Sequence, residues 1–214
     1  MTDKTQAAPE LEQIEFEALD RSSFLMKGIL AAGATYGAFA AGPMLRKAFA
    51  QDGGSEEGDI EILNFALTLE YLETAFYTQA VKKVSGLSGE TRKLAVTIRD
   101  NETAHVQALT AAIKGLKAKP VAAPGVDFGG AFSSEKSFLK LAQTFEDTGV
   151  SAYNGAAPAL KSKELLAAAG SIVQIEARHA AAIRTLNGQP VTDGGFDKTL
   201  AKDDVLKAVK PFLK

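Results

Sequence analysis

The chain contains no cysteine and no tryptophan, and only two of its 214 residues are histidine. Without cysteine there can be no disulfide, thiolate-bound zinc, iron–sulfur cluster, cysteine nucleophile or lipidated cysteine anchor. The redox compartment stays open, because a cysteine-free chain is stable in an oxidising or a reducing one. A strong charge of one sign is also missing. The net charge is -2, so there is no basic field to gather phosphates, and nucleic acid is excluded as a partner. Glycine (19 residues) and proline (7) are too few for a collagenous or low-complexity chain. What is present, 46% hydrophobic and 23% charged residues, suits an ordinary globular domain.

The one long uncharged run, GILAAGATYGAFAAGPML, lies between Lys27 and Arg46. Arg21 and Lys27 precede it, and Ala48-Phe49-Ala50 follows with the small-x-small pattern read by signal peptidase. Residues 1–50 are therefore expected to be an export signal, which makes the protein periplasmic or otherwise exported and free of the membrane after cleavage. LDRSSFLMKG resembles a twin-arginine signal, including Phe24-Leu25 and Lys27, but Ser22 stands where the second arginine belongs. A Sec route stays open. The alternative is a retained N-terminal anchor. About 18 uncharged residues is a borderline length for a membrane span, and the run's glycines weaken it further. Residues 51–214 carry 19 basic and 20 acidic side chains, a near-neutral composition, and are long enough for one core.

Past residue 50 the dominant period is helical. From Gly58 to Val84 a stripe falls at Ile60, Leu63, Leu67, Glu70, Thr74, Tyr77, Val81 and Val84, in alternating steps of three and four. After the turn Ser85–Gly89, a second helix over Glu90–Leu116 carries Leu94, Ile98, Glu102, His105, Leu109, Ala112 and Leu116. So short a turn makes the two antiparallel neighbours. Residues 117–133 have no periodicity and hold prolines and glycines. At full extension they reach roughly 55 Å, more than the roughly 40 Å of a 27-residue helix, so they can cross from one end of a bundle to the other. A third helix over Ser134–Ala157 has its stripe at Leu139, Ala142, Glu146, Gly149, Tyr153 and Ala156, and Pro158 ends or kinks it. A fourth over Ser162–Asn187 has Leu165, Ala169, Ile172, Glu176, His179, Ile183 and Leu186, with Gly188 as its stop. The expectation is an all-α four-helix bundle over residues 51–190, built of two antiparallel hairpins joined by a long crossover. A tail over 191–214 follows, with a short helix at about Lys202–Val209.

The two hairpins repeat one another. LEYLETAFY lies on FEDTGVSAY, which pairs Glu70 with Glu146 and Tyr77 with Tyr153. IRDNETAHVQAL lies on IVQIEARHAAAI, which pairs Ile98 with Ile172, Glu102 with Glu176 and His105 with His179. A repeat of this kind implies a pseudo-twofold arrangement.

The chemistry sits on the buried stripes. Both histidines follow a glutamate by three residues, and positions i and i+3 share a helix face. Glu70 and Glu146 lie mid-helix on the other two stripes. Four carboxylates inside an apolar bundle are untenable alone, because each unpaired buried charge costs several kcal/mol and like charges add to it. Two divalent cations neutralise them. One Glu from each of two helices and a Glu-x-x-His from each of the other two is the di-iron or di-manganese carboxylate pattern, and oxygen and imidazole donors without sulfur suit Fe or Mn. The expected metal ligands are thus Glu70, Glu102, His105, Glu146, Glu176 and His179, around two Fe or two Mn ions. No catalytic residue beyond these ligands is singled out. Glu73 lies one turn from Glu70, off the main stripe, and reads as a solvent or rim residue, with an extra ligand role as the alternative. Tyr77 and Tyr153 read as core residues with bonded hydroxyls, or as hydrogen-bond partners of ligands. Asp100, Asn101 and Gln143 could orient ligands.

LNFALTLEYLETAFY (63–77), NETAHV (101–106), FEDTGVSAYNGAAP (145–158) and IEARHAAAI (175–183) together resemble the ferritin-like superfamily. Within it they are similar to the ferritin-like domain family that includes desiccation-related proteins. The resemblance spans about residues 57–187. It implies the same six ligands, with Glu102 and Glu176 bridging the metals.

Three functions fit this reading. One is stress-protective redox chemistry on a small-molecule oxidant, O2 or H2O2, either catalase-like or ferroxidase-like. Another is metal binding or storage without turnover. The third is a structural stress protein whose metal site staples the bundle. A homo-oligomer is compatible with all three.

Overall fold

The computed structural model describes residues 57–214, and the expected export signal or anchor lies outside the described residues. The chain forms helices α1 (Glu57–Lys83), α2 (Gly89–Gly115), α3 (Glu135–Ala156), α4 (Lys163–Leu186) and α5 (Lys202–Val209). The bounds of the four long helices lie within a residue or two of those read from periodicity. Their ends follow from local chemistry. Glu57 and Asp59 open α1 and Lys82 and Lys83 close it, each matching the helix dipole. The Ser88 hydroxyl caps α2 by accepting from the Thr91 N–H, Ser134 and Ser137 form a capping box on α3, and Ser162 caps α4. Pro158 falls in a single 3-10 turn, Ala157–Ala159, that ends α3. Gly188, at φ 69°, takes the left-handed conformation that stops α4.

α1 packs along α2 and α3 along α4, while α1 also meets α3 and α2 meets α4. Tyr153 reaches Glu70 and Tyr77 reaches Glu146, so α1 and α3 run antiparallel. Since α1 and α2 are also antiparallel, α2 and α3 run parallel, and residues 116–134 must return along the full length of the bundle. On the way the crossover is held to α1, where Asn64 Oδ1 accepts from the Val121 N–H at 2.7 Å. It then pairs with the C-terminus: Asp127 N–H donates to the Phe212 carbonyl and Lys214 N–H to that of Gly125, both at 2.9 Å.

Two apolar cores form, one toward each end. The first gathers Phe76, Phe128, Phe138 and Phe145 with Val205 and Val209 of α5, so the tail helix closes that end. Phe76 sits at its centre with five aromatic neighbours, the nearest being Phe145 at 5.0 Å between centroids. The second contains Leu63, Leu67, Leu109, Ile113, Leu165 and Ile172. The segment before α5 crosses α3 at Gly155, where a Cβ would lie 2.0 Å from the Leu200 carbonyl oxygen, so only glycine fits.

At the end of the second core, fully buried Asp59 of α1 accepts the N–H groups of Lys161 and Ser162, each at 3.0 Å. The carboxylate thus ties α1 to the N-terminus of α4, where the helix dipole favours a negative charge. Asp59→Ala strands both donors and is expected to cost about 1–3 kcal/mol, measured as a lowered midpoint in urea unfolding.

Candidate metal centre

The polar layer lies between the two cores. α1 contributes Glu70, α3 Glu146, α2 Glu102 and His105, and α4 Glu176 and His179, and all six side chains are buried. The i, i+3 spacing on α2 and α4 aims each Glu and His pair inward. The two helices are antiparallel, so His105 faces Glu176 and His179 faces Glu102. The Nδ1 to carboxylate distances are 3.0 Å and 2.9 Å.

The donor atoms fall into two groups, each within a sphere of a few ångströms. Glu70, Glu102, His105 and Glu176 form one, and Glu102, Glu146, Glu176 and His179 the other. Glu102 and Glu176 belong to both, as shared groups between two adjacent positions must. All six sequence-predicted residues are therefore brought together at one level.

Hydrogen bonding within this layer is incomplete. Glu102 Oε1, Glu146 Oε2, both Glu176 oxygens and His179 Nδ1 are buried without a hydrogen-bond partner. Their nearest contacts are ion pairs not aligned as hydrogen bonds: His179 Nδ1 lies 2.9 Å from Glu102 Oε1 and 3.4 Å from Glu146 Oε2, and His105 Nδ1 lies 3.0 Å from Glu176 Oε1. Buried polar atoms are normally satisfied. Carboxylate oxygens without an aligned donor, converging from three helices, fit a positive ion. Oxygen and nitrogen donors without sulfur are the set preferred by Fe or Mn, so the residues present could hold such ions.

The outer carboxylates are held by a reciprocal pair of phenols. Tyr153 donates to Glu70 Oε1 at 2.5 Å, and Tyr77 donates to Glu146 Oε1. Each tyrosine thus serves the glutamate of the opposite hairpin, so both are hydrogen-bond partners of the cluster as well as core residues. Burial, followed by the neighbouring carboxylate, pushes both phenols well above their ordinary range, so they remain donors. Asn101 sits 3.0 Å from His179 Nε2. The atom at that distance is the amide nitrogen, Nδ2; turning the amide over would put its oxygen there, to accept an Nε2–H and leave Nδ1 free to face the cluster. Gln143 instead bonds Asn187, and Asp100 pairs with Arg99 at the surface.

Glu73 corrects the sequence reading. It is 4% exposed and is not a rim residue. It can enter because Gly149 faces it: a Cβ at 149 would lie 3.3 Å from Glu73 Oε1 and 3.6 Å from Glu176 Oε2. The signal was present in the repeat, which sets glycine opposite Glu73 where a larger side chain would have closed the space. Burial, then the facing Glu176, pushes the Glu73 carboxyl well up.

A bundle of two hairpins joined by a crossover, with carboxylates and imidazoles from all four long helices in one central layer, defines a ferritin-like protein. The family model described as ferritin-like domain matches residues 58–189, and the chain belongs to that family. A comparison with the curated proteins finds no match.

Burial alone would lower the imidazoles. The carboxylate charges outweigh it: Glu146 leads in raising His179 to about 12, and Glu70 leads in raising His105 as well. Both rings are thus cationic at neutral pH without metal. A metal ion takes only the neutral ring, so loading must displace these protons. Burial, then the facing Glu176, also pushes the Glu102 carboxyl well up, so uptake of divalent cations by chelated protein at pH 7 is expected to release at least about two protons per chain, and apparent affinity to rise with pH. An indicator dye in weak buffer measures the release.

Proposed function

We propose that the central layer binds two Fe or two Mn ions through Glu70, Glu102, His105, Glu146, Glu176 and His179, with Glu102 and Glu176 shared between them, for redox chemistry on O2 or H2O2. The observation that carries the reading is the set of orphaned donor atoms on Glu102, Glu146, Glu176 and His179, buried between two apolar cores. Iron or manganese bound there supplies one-electron steps between the divalent and trivalent states, as catalase-like or ferroxidase-like activity requires. The chain's own part is positional. Tyr77 and Tyr153 fix the orientation of Glu146 and Glu70, Asn101 fixes the His179 ring, and the flanking leucines and phenylalanines keep bulk water away. The export-signal pattern in residues 1–50 supports a periplasmic or otherwise exported protein acting in stress protection.

A non-catalytic reading has one observation in its favour: the donors come from all four long helices, so bound ions would also staple the bundle. Two measurements separate the readings. Metal-loaded protein is assayed for H2O2 disproportionation and for Fe(II) oxidation by O2, and turnover in either supports the redox reading. Loading without turnover, together with a large fall in melting temperature on chelation, supports the staple. His105→Ala with His179→Ala is expected to abolish tight loading of both ions while leaving the helical circular dichroism intact. Stoichiometric loading of that variant contradicts the ligand assignment.

A further inference from the structure

The pseudo-twofold that relates the hairpins is broken in the polar layer at Glu73. Where α1 carries Glu73, α3 carries Gly149. The six cluster residues and the two tyrosines all have counterparts: Glu70 with Glu146, Tyr77 with Tyr153, Glu102 with Glu176, His105 with His179. Glu73 has none, and the missing side chain at 149 is what gives it room.

The Glu73 carboxyl has unusual surroundings. Both its oxygens and Glu176 Oε2 lie within 4 Å of the point where a Gly149 Cβ would sit, at 3.3, 3.9 and 3.6 Å. The two carboxylates are neighbours. No hydrogen bond joins them, and among the described residues no lysine, arginine or hydroxyl answers Glu73. Both Glu176 oxygens are themselves without a hydrogen-bond partner. Outside Glu73 lies a small cleft between α1, α3 and α5, walled by Leu69, Leu72, Phe145, Thr148, Gly149 and Val209, and the Glu73 carboxyl is its one ionisable group. An apolar wall gives the carboxylate no counter-charge on that side, so any compensating cation must lie on the Glu176 side.

We infer that Glu73 is a seventh metal ligand, one that joins the cation position of Glu146 and His179, which Glu176 Oε2 faces, and makes the two positions unequal. This rests on the proposed dinuclear reading and extends it. Four carboxylates balance two divalent cations, and a fifth exceeds them by one unit, so a Glu73 carboxylate favours a trivalent ion in the position it joins. Gly149 then acts by leaving Glu73 the space to approach.

The test is a Co(II) titration of chelated full-length protein, followed by calorimetry and by visible absorption, whose intensity falls as the coordination number rises. Wild type is expected to bind two Co(II) with unequal affinities. Glu73→Gln, nearly the same shape without the charge, is expected to keep both ions, to weaken one by at least about tenfold, and to raise the absorption of that one cobalt. Gly149→Ala, whose Cβ presses on the Glu73 carboxyl, is expected to move the same ion in the same direction and gives an independent arm should Glu73→Gln fold poorly. If wild type takes up two Co(II) and both variants match it in affinity and spectrum, Glu73 is no ligand and the six-residue centre stands. If wild type takes up none, the dinuclear reading falls and this inference with it.

Discussion

The structure depends on one electrostatic constraint: several carboxylates are held at the centre of a bundle, out of reach of water, with only two imidazoles for company. Glu70, Glu102, Glu146 and Glu176 are fully buried, and Glu73 nearly so. In a low-dielectric interior such a group is stable only with positive charge and hydrogen bonds in proportion. The metal-free chain answers in part, with two cationic rings and two phenols. It leaves several carboxylate oxygens without an aligned hydrogen bond. That deficit, in an interior otherwise packed with leucine, alanine and phenylalanine, is the physical basis for assigning a cation site.

The rest of the architecture serves this layer. Two apolar cores sit on either side of it, so the helices are anchored at both ends and cannot splay to let water in. The antiparallel pairing of α1 with α3 puts each tyrosine, seven residues past its glutamate, level with the glutamate of the other hairpin. One spacing, used twice, thus gives two crossed hydrogen bonds. The same geometry on α2 and α4 sets each histidine opposite the other helix's glutamate. A long crossover is the topological consequence, and its pairing with Leu213 and its neighbours shows how the tail is recruited to hold it.

Much of this was legible in the sequence, for identifiable reasons. Alternating steps of three and four located the helices, and serines and glycines marked their ends. The repeat aligns the six cluster residues, because a pseudo-twofold demands that equivalent positions share a depth. The position of Glu73 was not legible from its own helix, since it lies off the α1 stripe. Its burial depends on what faces it across the bundle, and only Gly149 on another helix reveals that. Likewise Asp59 looks like an ordinary first-turn acid, and its bond to the start of α4 is a tertiary fact. The packing of Val205, Val209 and Phe212 against the first core was also hidden, because an eight-residue helix has too short a period to show which surface it covers.

The account is tested most directly by crystals of metal-loaded protein measured with X-rays above and below the Fe and Mn absorption edges. It predicts two anomalous peaks at one level of the bundle, one among Glu70, Glu102, His105 and Glu176 and the other among Glu102, Glu146, Glu176 and His179. Loaded crystals without a peak in that layer, or with metal only at the protein surface, would contradict it.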